Sequence, residues 1–472
     1  MRVAYSFDTD NARDGSGIDC KQPLGVPGGL ALTLPECRVE AVDGPTRGNV
    51  IGRDITIQAV TAVPGSYTLE LPATLCVIVL DDPGTDEPEN CKTTVATVRV
   101  VVTSALSVPD RWQPLGEAVN LDTRSDTAAP ALVVDRAGQP LAAWVENGRV
   151  AVRRWDGNAW QTLGAGPGGA GAQGRPALAL DEDDAPVVAW TEARPGTTSD
   201  ATQVQVRRWT NGAWHTIGSS PVDAPDATSA RDPALLLRQG RLLLAWAEQT
   251  TTDESGGRIA LVSVLGNALN RVAADRALSA PGNPGQVALA GLDSAELAMA
   301  WREGNTQRVQ VAALTAESWA PIGSFNGVNA GSLALIHAPG HGLLLAIAPG
   351  PPAAQFTVRH YTGSGWDDFG TAHGSTANGA RIQQLALGVE AASGAPLLAW
   401  GQFTTTSRSI VVRRWSGSQW LALGDPLTPQ LRASDSGTPV GVAVAGGSRP
   451  YLATQVTNAV PADSVIRVQE FR

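Results

Sequence analysis

The sequence VAVRRWDGNAWQTLG at residues 150–164 recurs with variations along most of the chain, and the clearest copy is IVVRRWSGSQWLALG at residues 410–424. In each full copy this sequence is preceded by three segments in order: an apolar segment of the type Pro-Ala-Leu-Ala-Leu-Asp, a tight turn, and a second apolar segment that ends in Trp-x-Glu. All 14 tryptophans lie after residue 110 and belong to this pattern. Repetition with a period of roughly fifty residues is typical of propellers and solenoids.

Three marker positions align the copies. The first marker is Trp144, Trp190, Trp246, Trp301 and Trp400, with Ile347 and Thr454 in two degenerate copies. The second is Trp155, Trp209, Leu265, Leu314, Tyr361, Trp415 and Phe471, and the third is Trp160, Trp214, Leu269, Trp319, Trp366 and Trp420. The seventh copy has no third marker, but residues 111–116 match that segment. We therefore predict a seven-bladed β-propeller, closed by an N-terminal strand near Trp112.

Each copy is expected to form four short antiparallel strands. Residues 204–208 begin with the alternation of a half-buried strand, and Asn211-Gly212 is a strong signal for a hairpin turn. The repeated indoles are expected to fill the wedges between blades, where each buries about 150–250 Å². Stacking of an indole against a sugar ring is the alternative.

Residues 1–106 have a different composition, with no tryptophan and all of the cysteines. Their alternating and β-branched runs predict a small antiparallel β-sandwich, immunoglobulin-like in architecture, ahead of a propeller at residues 107–472. The whole chain is thus expected to be all-β. The four cysteines, Cys20, Cys37, Cys76 and Cys91, allow three disulfide pairings, and we favour Cys20–Cys37 and Cys76–Cys91 because each closes a short loop.

Disulfide bonds indicate an oxidising compartment, so we expect an extracellular or cell-surface protein, with the periplasm as the alternative. Residues 1–5 lack the apolar core of a leader peptide. The formal net charge of −10 argues against a nucleic-acid partner, which requires a basic surface. No run of eighteen apolar residues exists, so no membrane span is predicted.

Two groups of acidic residues are candidate sites. The Trp-x-Glu acids are Glu146, Glu192, Glu248 and Glu303. Four equivalent acids suggest a structural role, such as pairing with the third-strand arginines Arg154, Arg208 and Arg414, and a glycan contact in each blade is the alternative. Asp8, Asp10, Asp14 and Asp19 supply clustered oxygens of the kind that calcium favours, although Ala12 breaks the helix-loop-helix spacing and a solvated loop is the alternative.

The links between strands are expected to divide between the two faces of the ring. Tight first-to-second and third-to-fourth links share one face, and the long, Gly-rich second-to-third and blade-to-blade links share the other, which we call the long-link face. Binding residues concentrate on variable loops held by a rigid scaffold, so a binding surface is expected there. No catalytic residue and no cofactor other than calcium is predicted, because the histidines follow no ligand spacing and no phosphate loop is present.

Residues 150–164 and 411–424 resemble the repeats of bacterial secreted kelch-like and sialidase-like propellers, and the resemblance covers about residues 111–472. It implies an architecture that hosts lectins, hydrolases and scaffolds alike. The Ser-x-Asp-x-Gly-x-x-Trp box of sialidases and the Gly-Gly pair of kelch blades are absent, so no catalytic residue carries over.

The function expected from these observations is non-enzymatic extracellular binding or structural support. Its partner would be a glycan or another surface protein, within a homo-oligomer or a larger surface assembly. The alternative is a carbohydrate-active hydrolase or lyase with a pocket at the propeller axis.

Overall fold

The computed structural model divides the chain into two units, Met1–Pro109 and Asp110–Arg472. It describes residues 2–9, 17–19, 30–33, 38–40, 49–59, 65–76, 91–102, 111–122, 125–169, 171–197, 200–219, 221–252, 255–273, 276–277, 284–293, 295–303, 308–315, 318–326, 332–348, 354–374, 380–403, 408–427, 441–457 and 464–472.

The first unit contains two antiparallel sheets. Its strands are β1 (Arg2–Thr9), β2 (Gly17–Asp19), β3 (Leu30–Thr33), β4 (Arg38–Glu40), β5 (Asn49–Ala59), β6 (Gly65–Cys76) and β7 (Cys91–Val102). One sheet has the order β1-β5-β3 with β4 also on β5, and the other has the order β2-β6-β7. Cys76 and Cys91 are partners in the β6–β7 register. Cys20 and Cys37 lie outside the described residues, and the immunoglobulin-like architecture and both disulfides stay predictions.

The second unit is a seven-bladed β-propeller. It begins with β8 (Trp112–Pro114) and continues with blade 1, made of β9 (Ala131–Val134), β10 (Pro140–Glu146), β11 (Arg149–Trp155) and β12 (Trp160–Thr162). Blade 2 consists of β13 (Ala172–Leu180), β14 (Pro186–Ala193), β15 (Thr202–Thr210) and β16 (Ala213–Thr216). Blade 3 consists of β17 (Ser229–Arg238), β18 (Arg241–Gln249), β19 (Gly257–Leu265) and β20 (Ala268–Arg271), with β21 (Arg276–Ala277) also on β19.

Blades 4 to 7 continue the same order. Blade 4 has β22 (Gly285–Leu292), β23 (Ala295–Glu303), β24 (Arg308–Thr315) and β25 (Ser318–Phe325). Blade 5 has β26 (Ser332–Ala338), β27 (Gly342–Ala348), β29 (Val358–Tyr361) and β30 (Trp366–Asp368), while β28 (Gln355–Phe356) pairs with β31 (His373–Gly374). Blade 6 has β32 (Arg381–Val389), β33 (Pro396–Phe403), β34 (Arg408–Trp415) and β35 (Trp420–Ala422), and blade 7 has β36 (Val442–Gly446), β37 (Pro450–Thr457) and β38 (Ser464–Phe471).

The predicted closure of the ring is confirmed. Strand β8 pairs antiparallel with β38, and Trp112 lies opposite Phe471. The backbones of Arg111 and Arg472 exchange hydrogen bonds of 2.7 and 3.1 Å beside this pair. Strand β8 is thus the fourth and outermost strand of the sheet β36-β37-β38-β8, and β38 is paired on both sides.

The hydrophobic core of the described propeller consists of seven clusters, each shared by two neighbouring blades. The first-marker indoles belong to them and are at most 3% exposed. Trp190 of blade 2, for example, packs with Val145 and Val152 of blade 1. The expectation that these indoles fill the wedges between blades is therefore confirmed.

The Trp-x-x-Leu-Gly ending of the repeat joins the blades at the rim. The indole N–H of Trp160 donates to the carbonyl oxygen of Leu115 at 2.8 Å, and that of Trp214 donates to Leu163 at 2.7 Å. The following glycine makes room for the next blade, since a Cβ on Gly164 would lie 2.8 Å from the Trp209 ring. Trp420 and Trp366 repeat the contact with Phe369 and Ile322.

The alignment of blade 3 was wrong by one residue. The register pairs Val264 with Leu269, as it pairs Trp209 with Trp214 in blade 2. The second marker is therefore Val264, which is 6% exposed, whereas Leu265 is 73% exposed at the following turn. Shifting a strand by one residue moves its side chains to the opposite face, and blade 3 has no aromatic residue there to fix the alignment.

Candidate functional site

The innermost strands of the seven blades line a channel along the propeller axis. Its volume is about 440 Å³, within the range of ligand sites. The alanines of the Pro-Ala-Leu-Ala segment, such as Ala177 and Ala234, form part of the wall. Small side chains are required there because seven strands converge.

A set of dissimilar polar residues lies at the entrance of this channel on the long-link face. In each blade, one alanine of the first strand pairs with the residue just before the first marker; in blade 2, for example, Ala177 pairs with Ala189. The residue that defines the set lies two positions before this alanine. In blades 2 to 6 this residue is Arg175, Asp232, Gln286, Ser332 and Gln384, and we call these five the polar ring. Blades 1 and 7 have Ala129 and Gly441 instead.

Irregularities in the backbone of the first strands determine where the residues of the polar ring lie. The pairing of first and second strands shifts register just before these alanines in blades 2, 3 and 4, and next to Gln384 in blade 6. Asp232 and Gln286 have φ values of 53° and 52°, in the left-handed region. β-Bulges redirect side chains and are common next to functional sites.

Three members of the polar ring connect neighbouring blades. A carboxylate oxygen of Asp232 accepts from the backbone N–H of Gln286 at 2.8 Å. The side-chain oxygen of Gln384 accepts from the N–H of Val442 at 2.9 Å. The hydroxyl of Ser332 lies 3.3 Å from the N–H of Leu385. These contacts fix the polar ring on adjacent first strands.

Arg175 differs from the other members of the polar ring. Its side chain is exposed to solvent, yet the surrounding protein lowers the pKa of its guanidinium to about 10 by desolvation. No acid of the described chain pairs with it, so nothing there offsets this loss of hydration. At neutral pH Arg175 therefore places an uncompensated positive charge, with five N–H donors, in the channel.

The four Trp-x-Glu acids lie beneath the long-link face, and each is at most 9% exposed. Glu146 accepts from the indole of Trp144 at 2.7 Å and from the backbone of Leu121 and Asp122 at 3.0 and 2.6 Å. Glu248 accepts from Trp246 at 2.8 Å, from the backbone of Ala224 at 2.9 Å and from Arg258 at 2.6 Å. These two acids thus anchor the incoming blade-to-blade links.

Glu192 and Glu303 are also bonded by their own blades. Glu192 accepts from Trp190 at 2.8 Å and from Gln203 at 2.9 Å. Glu303 accepts from Gln310 at 2.9 Å, while the indole N–H of Trp301 is without a partner in the described part of the chain. Ligand contact by the four acids stays a prediction, and in this structure their oxygens are engaged by the protein itself.

The expected pairing of these acids with Arg154, Arg208 and Arg414 is wrong, although Glu248 pairs with another third-strand arginine, Arg258, at 2.6 Å. Arg154 lies 3.4 Å from Asp135, Arg208 lies 2.9 Å from Asp181, and Arg414 lies 3.5 Å from Glu390. These partners end the first strands, on the tight-turn face. The register explains the error, because Arg154 lies opposite Leu141 whereas Glu146, at the other end of β10, lies opposite Arg149.

The calcium candidates are only partly described. Asp8 lies on β1 and Asp19 on β2, which belong to different sheets, while Asp10 and Asp14 lie outside the described residues. In the described part of the chain no three His, Cys, Asp or Glu side chains lie close enough to hold a metal ion. That part also has no helix long and apolar enough to cross a bilayer.

Sequence reasoning missed the polar ring. Its members are about fifty residues apart, so no local motif contains two of them. One feature of the sequence could have indicated it. The residue just before Pro-Ala, as in Arg175-Pro176-Ala177, differs from copy to copy of the repeat, while the apolar residues after it are similar.

Comparison with known proteins yields structural similarity alone. No family model matches the chain, and no curated protein matches it. A protein of unknown function from Dyadobacter fermentans DSM 18053 has 13% identity and a TM-score of 0.45, over 77% of this chain and 100% of that one. An α-L-arabinofuranosidase from Fusarium graminearum has 10% identity and a TM-score of 0.40, over 77% and 96%. A six-bladed fungal lectin from Aleuria aurantia has 13% and 0.40, over 70% and 100%.

Proposed function

We propose that the protein is a non-enzymatic binding protein that holds a glycan at the polar ring, on the long-link face. The observation that carries this proposal is the composition of the channel lining. Asp232 is the one carboxylate among the described lining residues, and one of its oxygens already accepts from Gln286. Most glycosidases require two carboxylates, separated by about 5–10 Å. The lining favours binding over hydrolysis for that reason.

The polar ring suits a ligand rich in hydroxyl groups. Gln286, Ser332 and Gln384 offer neutral amide and hydroxyl groups, and Arg175 offers charged N–H donors without an acid beside it. Sites for small ligands are concave, with a few polar groups fixing the orientation. A sugar chain presents many oxygens that accept hydrogen bonds, so it fits this lining.

A surface protein is a weaker candidate for the ligand. Stable protein interfaces bury about 800 Å² on each partner around an apolar and aromatic centre. The large apolar side chains exposed in the described propeller are Leu121, Leu265 and Leu421. Of these, Leu121 alone belongs to a long link, and one leucine does not make an apolar centre.

The cell location and assembly are part of the same proposal. The Cα register of Cys76 with Cys91 supports a disulfide bond and thus an extracellular or cell-surface protein. In that setting the first unit would serve as the piece that docks into a larger surface assembly.

The test is a glycan array probed with the full chain, followed by titration calorimetry with the glycan that binds best. Arg175→Ala should weaken binding by at least about tenfold. Arg241→Ala removes an exposed arginine from a tight turn on the opposite face and should leave the affinity unchanged. The same glycan is incubated with the protein and assayed for reducing ends.

Two results would overturn the proposal. Release of reducing ends that is lost in Asp232→Asn would establish the enzymatic alternative. Absence of binding to every glycan on the array would shift the function to contact with a surface protein.

A further inference from the structure

Blade 5 departs from the repeat at the long-link end of its second strand. Ile347 stands where blades 1 to 4 and 6 have tryptophan, and Pro349 stands where blades 1 to 4 have glutamate. The pairing of β27 with β29 ends at Ala346 and Val358, one residue before Ile347. Strand β28 pairs with β31 instead of continuing the blade. The third strand of blade 5 is thus interrupted at Thr357.

The missing indole leaves space between blades 4 and 5. In other blades the first-marker tryptophan packs against the preceding blade, as Trp301 does between blades 3 and 4. Ile347 occupies the corresponding place in the cluster between blades 4 and 5. A pocket of about 480 Å³ opens beside it, within the size range of small-ligand sites. Its walls come from the end of β25 and from the long second-to-third link of blade 5, so it lies on the long-link face.

An aromatic ring and an arginine form one side of this pocket. The guanidinium of Arg359 lies 5.0 Å from the centroid of the Phe325 ring. Trp366 holds Phe325 by an edge contact at 5.6 Å and is itself fixed by its hydrogen bond to Ile322 at 2.7 Å. In the described part of the chain no carboxylate pairs with Arg359, so its N–H groups are available to a ligand.

The remainder of the pocket combines an apolar floor with a neutral polar edge. Ile347 and Phe356 lie at the floor. Ser324, Asn326 and Gln355 are exposed at the edge and carry hydroxyl or amide groups. The described lining contains no acid. A sugar ring matches this arrangement, because it has an apolar face of C–H groups and an edge of hydroxyl groups.

We infer that the pocket between blades 4 and 5 holds one sugar ring of the glycan, with Phe325 against the apolar face of the ring and Arg359 donating to its oxygens. The inference rests on the proposed function and adds a second contact, away from the axis. At the place where the ligand binds, blade 5 thus has Ile347 instead of the tryptophan that fills this space in blades 1 to 4 and 6.

The repeat itself supplies the test. Ile347→Trp restores the residue of the other blades and fills the pocket, and Arg359→Ala removes the charged donor. Arg153 occupies the equivalent third-strand position in blade 1, where Trp144 fills the wedge, so Arg153→Ala is the matched control. The probes are the methyl glycosides of glucose, galactose, mannose and glucuronic acid. Saturation-transfer NMR on the full chain detects their binding, and thermal unfolding confirms that each variant is folded.

We expect at least one glycoside to receive saturation from the wild type and from Arg153→Ala, and to lose most of it in Ile347→Trp and Arg359→Ala. Unchanged saturation in both pocket variants would overturn this inference and leave glycan binding at the polar ring intact. Loss in Arg153→Ala as well would also overturn it, because the effect would not belong to this pocket. Failure of the wild type with every glycoside and every array glycan would instead remove the proposed function.

Discussion

The indole N–H of Trp112 donates a hydrogen bond to the backbone carbonyl of Leu423 at 2.8 Å, across 311 residues of sequence. The same bond joins Trp160 to Leu115 and Trp420 to Phe369 in other pairs of blades. Strand β8 reaches its blade without a covalent link to β38, so the backbone pairing of these two strands and the contacts of Trp112 together hold the ring closed.

Truncation of the closing residue should destabilise the propeller. Trp112 is 8% exposed and lies 5.3 Å from the Phe471 ring, so Trp112→Ala removes a buried indole and its hydrogen bond. We expect a loss of about 3–5 kcal/mol in the free energy of unfolding, measured by urea denaturation. A loss below about 1 kcal/mol would contradict the role of β8 in closure.

Two glycines separate packing from backbone strain. Gly164 has φ +63°, and an added Cβ would lie 2.8 Å from the Trp209 ring; Gly212 has φ +76° and nothing within 4 Å of an added Cβ. Both alanine variants suffer the strain of a positive φ, but only Gly164→Ala must also displace an indole. We expect Gly164→Ala to cost about 1–3 kcal/mol more than Gly212→Ala in denaturant unfolding. Equal losses would show that the glycine does not serve the contact between blades.

Arg175 is expected to destabilise the folded propeller while it contributes to glycan binding. Desolvation lowers its folded pKa to about 10, below that of the unfolded chain, so above about pH 10 the unfolded chain binds more protons and stability rises with pH. Below about pH 10 the charged form carries a constant penalty, which the exposure of the side chain to solvent reduces. Arg175→Gln should therefore raise the free energy of unfolding at pH 7, by about 1 kcal/mol or less after screening, and weaken glycan binding. A less stable variant would contradict the assignment.

His373 should make the propeller sensitive to acid. Burial, with the charge of Arg413 as a smaller cause, lowers the pKa of its imidazole to about 4. Its ring packs among Phe356, Trp400 and Trp420. As the pH falls from about 6.5 toward 4, the unfolded histidine gains a proton before the folded one does, so stability falls.

The expected contribution of His373 is about 2 kcal/mol between pH 7 and pH 4.5, obtained from denaturation at both values. His373→Gln should reduce this difference. His215→Gln, at an exposed position, is the control that should preserve it. An unchanged pH dependence in His373→Gln would contradict a buried neutral imidazole.

The fold was predictable because its signals are large and local. Tryptophans such as Trp155 and Trp160 pair directly across a hairpin, so the last two strands of a blade can be recognised within a short segment of sequence. The segment around Trp112 matched the piece missing after Phe471 for the same reason. Where the aromatic residue is absent, as at Val264, the alignment of the repeat from the sequence is wrong by one residue.

The candidate site could not be predicted in the same way. The polar ring joins Arg175, Asp232 and three further residues from separate blades, and only closure of the ring places them at one opening. The repeat shows Ile347 in place of a tryptophan, but whether neighbouring side chains close the space beside it depends on packing in the folded propeller, so the pocket could not be predicted from the sequence. The partners of Arg154 and Glu146 depend on which end of a strand each residue occupies.

The most direct measurement is a crystal structure of the full chain soaked with the glycan selected on the array. We predict density at the long-link mouth of the channel, with a sugar oxygen within about 3.2 Å of the Arg175 guanidinium. Density confined to the tight-turn face, or none at the polar ring despite saturating glycan, would contradict the account.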